Sequence, residues 1–208
     1  STTSSPTLSS SAISKGDRVR VKATASDPWL EGDAFFSEEL IVQNTAPSIQ
    51  LAQITPSVLK EETPAICEGL GYQDVDGDPA ENVYSWFVDD VELTVTTDTI
   101  TGDAFNKGQS VRCCVVPSDG TDLGTQRCSE ARMVLNSPPN ISATSIQPAN
   151  PTKADVLTLD TSTASDPDGD VVTLDVVWYL DGSPVSTDVS IDLSDVNFRK
   201  GQKIRANV

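Results

Sequence analysis

The chain of 208 residues carries 31 acidic against 14 basic residues and no histidine, for a formal net charge of −17. Phosphate binding needs a basic face, so this balance argues against nucleic acid as a partner; the same field repels anionic lipid and favours divalent cations. No apolar run approaches the ~20 residues of a membrane span, so no membrane insertion is expected of this segment, and β-like patches of apolar residues argue against disorder.

The opening STTSSPTLSSS lacks the basic and apolar regions of a signal peptide. Its hydroxyl residues read as a polar strand and turn, with O-linked sugar as the alternative. With this beginning and no initiator methionine, the chain is expected to be a mature piece or internal part of a longer protein. SKGDRVRVKA at 14–23 reads as strand. In SDPWLEGD at 26–33, Trp29 is either an exposed contact for a neighbour or packed on its own segment. NTAPSI at 44–49 is a short proline-bearing linker, which favours a semi-rigid connection. Beyond it come ITP at 54–56, a strand around Cys67, and the loop DVDGD at 74–78. In ENVYSWFVDDVEL at 81–93, alternation puts Tyr84, Trp86 and Val88 on one face. FNKGQSVRCCV at 105–115 turns Val111, Cys113 and Val115 inward, PSDGTDLG at 117–124 is a loop, and Cys128 lies on the last strand.

The pattern then restarts. NSPPNI at 136–141 repeats NTAPSI, DPDGD at 166–170 repeats DVDGD, and Trp178 follows Trp86, each 92 residues on. DVVWYLDGSPV at 175–185 places Val176, Trp178 and Leu180 on one face before an Asp-Gly turn. FRKGQKIRANV at 198–208 matches FNKGQSVRCCV after one inserted residue, and SKGDRVRVKA is the same element again, Lys15 lying 92 before Lys107. The chain divides into 1–43, the C-terminal part of one repeat; 44–135, a complete repeat; and 136–208, the N-terminal part of a third. It reads as a window on a longer tandem array. Turn signals roughly every 8–12 residues, with no sustained helical period, predict an all-β fold. Repeats of about 92 residues suit tandem immunoglobulin-like β-sandwiches in a rod-like array.

All four cysteines, Cys67, Cys113, Cys114 and Cys128, fall in the complete repeat. Their even number, without CxxC or histidine, reads as two disulfides rather than a zinc site. Three pairings are open. Cys67, Trp86 and Cys113 follow the Cys–Trp–Cys order of an immunoglobulin core, which favours Cys67–Cys113 packed on the indole. Cys114 then points to the opposite face, with Cys128 one hairpin away as its partner; the vicinal bond Cys113–Cys114 is strained. Leu159 and Ala206 occupy the core positions in the third repeat, so the bridges stabilise the fold without defining it. Disulfides also imply a location outside a reducing cytoplasm.

Taken together, NTAPSI…ITP, the second-strand cysteine, DVDGD, YSWFVDD and FNKGQSVRCCVVPSDG resemble the tandem Ig-like repeats of large bacterial and archaeal surface proteins, akin to PKD and cadherin-like modules. The resemblance covers the whole chain, and SDPDGDVVTLDVVWYLDG carries it in the third repeat. It implies an extracellular setting, at the cell surface or secreted, but no single function, because such modules serve as stalks, adhesins, sheaths and enzyme appendages.

No histidine, nucleophile elbow, phosphate loop or HExxH points to catalysis, so no enzyme and no catalytic residue are expected. The aspartate loops are not EF-hands: counting from Asp74, glycine falls at position 4 and Ser85 at 12, and from Asp166 position 12 is Val177. In a sandwich the loops at 74–78 and 117–124 share one pole, so Asp74, Asp76 and Asp78 are expected to face Asp119 and Asp122 beside the preceding linker. Calcium, with its flexible oxygen shell, is the cofactor this crowding suits. The other reading is a tight turn in which aspartates bond their own backbone. Asp166, Asp168 and Asp170 offer the same choice in the third repeat. Asn140 begins a glycosylation sequon, NIS.

The expected function is a structural or adhesive segment of a long surface protein: stalk, fibre or sheath, stiffened by calcium. Its partners are then neighbouring repeats and, beyond them, other surface proteins or glycans. The alternatives are a glycan- or protein-binding module appended to a secreted enzyme, and a filament subunit completed head-to-tail by the next molecule.

Overall fold

A computed structural model describes residues 7–208, so most of the opening STTSSPTLSSS lies outside the described residues. Regular structure in them is almost entirely antiparallel β; the helical turns among them are two three-residue segments, Ser10–Ala12 and Gly102–Ala104. No helix of the described residues is long and apolar enough to cross a membrane. The chain forms two compact units, the first running to Leu59 and resuming over Thr63–Val134, the second comprising Lys60–Glu62 and Leu135–Val208.

The first unit holds β1 (Arg18–Val19), β2 (Lys22–Ser26), β3 (Glu31–Phe36), β4 (Leu40–Ile41), β5 (Leu51–Thr55) and β6 (Ala65–Leu70). It continues through β7 (Val83–Val88), β8 (Val91–Glu92), β9 (Thr99–Ile100), β10 (Ser110–Val116), β11 (Arg127–Cys128) and β12 (Arg132–Met133). One sheet has the order β5-β6-β9; another has β11-β10-β7-β8, with β12 also on β10. Alternation makes them share a core. Ala52 and Ile54 of β5 and Ala65 and Cys67 of β6 are buried together with Trp86 and Val88 of β7 and Val111, Cys113 and Val115 of β10. Phe105 and the bridged pair Leu59 and Val134 close its edge. A buried indole must satisfy its N–H, and Trp86 Nε1 donates to Thr97 O at 2.9 Å. Disulfides join Cys67 to Cys113, linking the two sheets, and Cys114 to Cys128, linking neighbouring strands of one sheet.

The segment from β1 to β4 differs. It forms two ribbons, β1-β4 and β2-β3, and every residue of β3 is exposed. Trp29 is 86% exposed, so its ring does not pack on its own segment. A two-stranded ribbon has no second layer against which to bury an apolar face.

The second unit holds β13 (Asn140–Ile141), β14 (Ser145–Gln147), β15 (Val156–Asp160), β16 (Ala164–Ser165), β17 (Val177–Leu180), β18 (Ser183–Ser186), β19 (Ser190–Asp192) and β20 (Ile204–Asn207). Its sheets are β14-β15-β19, β18-β17-β20 and β13-β16. Leu157, Val176, Trp178, Ile191 and Leu193 are buried at its centre, with Leu159 and Ala206 packed against them. Trp178 Nε1 donates to Asp188 O at 2.9 Å.

Local bonds recur between these segments. Asp89 and Asp181, both left-handed (φ 48° and 49°), follow their tryptophan strands. Asp89 accepts from Ser110 N and Gln109 Nε2, and Asp181 from Lys203 N and Gln202 Nε2, all at 2.9 Å. These bonds hold the Asp181 carboxyl below its ordinary range, the Lys203 backbone N–H first among them. The KG turns repeat a third bond: Ser14 N donates to Asp17, Asn106 N to Gln109 and Arg199 N to Gln202. In each case a side chain three residues on completes the turn.

Candidate functional site

The acidic loops of the first unit, those after β6 and β10, meet two other chain segments: the KG turn at Lys15 and the linker from Asn44 to Pro47. In DVDGD, Asp74 Oδ1 accepts the backbone N–H groups of Asp76 (2.8 Å) and Asp78 (3.0 Å). This is an Asx turn, and Gly77 at φ 81° supplies the left-handed residue that it needs. The turn leaves the other two carboxylates facing outward from the loop. Asp76 Oδ2 accepts Thr45 N at 2.7 Å, and Asp78 forms an ion pair with Lys15 Nζ. The Asp78 hydrogen bond holds the Lys15 ammonium above its usual range; partial desolvation opposes it, and the charges of Asp76 and Asp119 add attraction.

The loop after β10 fastens the same linker. Asp119 Oδ1 accepts Thr121 N and Asp122 N, both at 2.7 Å. Asn44 Nδ2 donates to Asp119 Oδ2 at 2.7 Å and Asp122 Oδ2 at 2.8 Å. Pro47 packs so closely here that a Cβ on Gly124 would stand 1.9 Å from its carbonyl oxygen, so only glycine fits. Tyr72 Oη reaches Pro79 O (3.4 Å) and Ser118 O (3.3 Å), tying the two loops together. Burial, then the charge of Asp74, raises its phenol pKa.

Asp119 is 7% exposed and titrates at about 2, lowered first by the Asn44 hydrogen bond and then by the Asp122 N–H. Its ordinary value is 3.8, so the ionised form contributes stability that is complete above that value and disappears as pH falls to about 2. Asp119→Asn is therefore expected to lower the melting midpoint at neutral pH by an amount that shrinks between pH about 4 and about 2. Thermal denaturation followed by circular dichroism across that range measures it; a pH-independent difference would show that the charge of Asp119 is not what holds the linker.

One oxygen from each of Asp74, Asp76 and Asp78 lies within 4.8 Å of the others, and Asp166, Asp168 and Asp170 form a second such triad. Asp119 and Asp122 engage Asn44 instead of joining the first triad. In the second unit Asp166 Oδ1 accepts Asp168 N at 2.9 Å and Asp170 N at 3.3 Å, and Asp168 Oδ2 accepts Ser137 N. Thr45–Asp76 and Ser137–Asp168 are thus the same bond 92 residues apart. The donors are all oxygen, the set that suits a hard divalent cation. Asn44 Oδ1, Asp74 Oδ2 and Asp168 Oδ1 are buried with no hydrogen-bond partner among the described residues. Such atoms normally have one, so the residues present fit a calcium ion. In the first triad Asp74 Oδ1 and Asp76 Oδ2 accept backbone N–H groups, and Asp78 Oδ2 pairs with Lys15.

Asn140 is exposed at the start of β13, where a sequon is accessible. Lys15, Asn44 and Tyr72 belong to the site although their residue types did not single them out. A signal existed for two of them: the KG turn and the linker asparagine each recur, as Lys107 and Asn136. In comparison with known proteins, no family model matches this chain, and no curated protein matches it in sequence.

Proposed function

We propose that this chain is a structural and adhesive segment of a long extracellular surface protein, a stalk, fibre or sheath, built from tandem immunoglobulin-like β-sandwich repeats of about 92 residues. The observation that carries the reading is the fastening of the linker. Thr45 and Asn44 are bonded by Asp76, Asp119 and Asp122, and Lys15 by Asp78, so the segment before the linker and the sheets after it are held by one loop cluster. A load-bearing array needs such joints, because a free linker would let its modules move as beads. Two disulfides support an oxidising, extracellular setting. Small-angle scattering tests the mechanical reading: an extended particle is expected, and a compact globule would overturn it.

Calcium completes the proposed joint, held by Asp74, Asp76 and Asp78, with Asp74 Oδ2 as the buried oxygen that lacks a hydrogen-bond partner among the described residues. The ion would neutralise the carboxylates and stiffen the linker attachment. Ca²⁺ at a hundredfold over its dissociation constant is expected to stabilise the first unit by about 2.7 kcal/mol. Melting curves with calcium and with chelator measure this, with Asp74→Asn/Asp76→Asn as the control. An unchanged midpoint removes calcium and leaves a joint made by hydrogen bonds and Lys15.

A further inference from the structure

The two disulfides of the first unit sit in opposite environments. Cys67 and Cys113 are 2% and 0% exposed, enclosed between the sheets. Cys114 is also buried, at 2%, but its partner Cys128 is exposed on the two-residue strand β11. Only the second bridge has an exposed cysteine. The guanidinium of Arg112 lies beside the buried end of that bridge, Nη1 3.5 Å from Cys114 Sγ. Arg112 is held there by stacking on Phe87, 4.4 Å from the ring centroid, with Asp90 3.6 Å from its other nitrogen.

Thiol–disulfide exchange requires an accessible sulfur for the incoming thiolate and a leaving sulfur that tolerates negative charge. Cys128 supplies the first, and Cys114 next to a fixed cation supplies the second. We infer that Cys128 is a site of reversible modification by low-molecular-weight thiols, with Arg112 as a positioning residue that stabilises the departing Cys114 thiolate. A small thiolate attacks Cys128 Sγ and forms a new S–S bond. The Cys114–Cys128 bond breaks, and its electron pair leaves on Cys114 Sγ. The Cys114 thiolate either re-attacks Cys128 Sγ, expelling the small thiolate and closing the bridge, or takes a proton from water. A second small thiolate then removes the adduct as a small-molecule disulfide, leaving Cys128 reduced. The net change is two-electron reduction of the bridge by two small thiols. β10 and β7 stay joined to the opposite sheet throughout, because the Cys67–Cys113 bond is out of reach.

The test is native exchange of the 208-residue protein with glutathione at graded ratios of reduced to oxidised form, quenched by alkylation and mapped by mass spectrometry. The expected result is a glutathione adduct on Cys128, alkylation of Cys114, and an intact Cys67–Cys113 bridge. Arg112→Gln is expected to slow opening on the order of threefold, and Arg112→Lys, which keeps the charge, to recover most of the rate. An adduct on Cys114, or opening of both bridges at one ratio, would overturn the site. A rate unchanged in Arg112→Gln, or equally slow in Arg112→Lys, would overturn the role of Arg112.

Discussion

Trp86→Ala is expected to destabilise the first unit by about 3–5 kcal/mol. The ring is fully buried between the β5-β6-β9 sheet and the sheet containing β7 and β10, so truncation opens a cavity that two bridged sheets cannot collapse to fill. It also removes the indole N–H that donates to Thr97 O, leaving that carbonyl to find another partner. Since domains are stable by roughly 5–15 kcal/mol, this one change approaches the margin. Urea denaturation followed by far-ultraviolet circular dichroism measures it independently of tryptophan fluorescence. A loss below about 1 kcal/mol would mean that the ring is not the keystone its burial indicates.

Removing the core bridge is the second large effect. The Cys67–Cys113 bond spans 46 residues and Cys114–Cys128 spans 14. Chain-entropy arguments assign about 4 kcal/mol to the longer loop and about 3 kcal/mol to the shorter. Cys67→Ala/Cys113→Ala is expected to lose at least the larger amount, since it also removes two buried sulfurs. The second unit indicates how much can be recovered: Leu159 and Ala206 pack into its core with no bridge. Cys67→Leu/Cys113→Ala should therefore remain folded and lie between the alanine pair and the parent in urea midpoint. If both double variants match the parent, the bridge contributes nothing that packing does not.

These expectations rest on features that were readable at very different ranges. The β class, the tryptophan strands and the Asp-Gly turns are local, set by alternation and by residues that tolerate left-handed backbone. The Asx turn of Asp74 lies within the five residues 74–78, so DVDGD announced itself as a turn. The recurrence at 92 residues was likewise plain, because it compares the chain only with itself. The bonds that make DVDGD a fastening were not. Lys15 meets Asp78 across 63 residues, Thr45 meets Asp76 across 31, and Asn44 meets Asp119 across 75. An aspartate beside a lysine and one facing water look the same in a sequence, since pairing depends on which loops the sheets bring together. The same holds for exposure. Phe35 and Trp86 are both aromatic residues on strands, yet one is 77% exposed and the other fully buried. The sequence by itself determined strands, turns and their repetition, which follow from short-range sterics and periodicity. Only the tertiary structure decided which aspartates hold the linker and which cysteine faces solvent, because both depend on long-range packing of sheets.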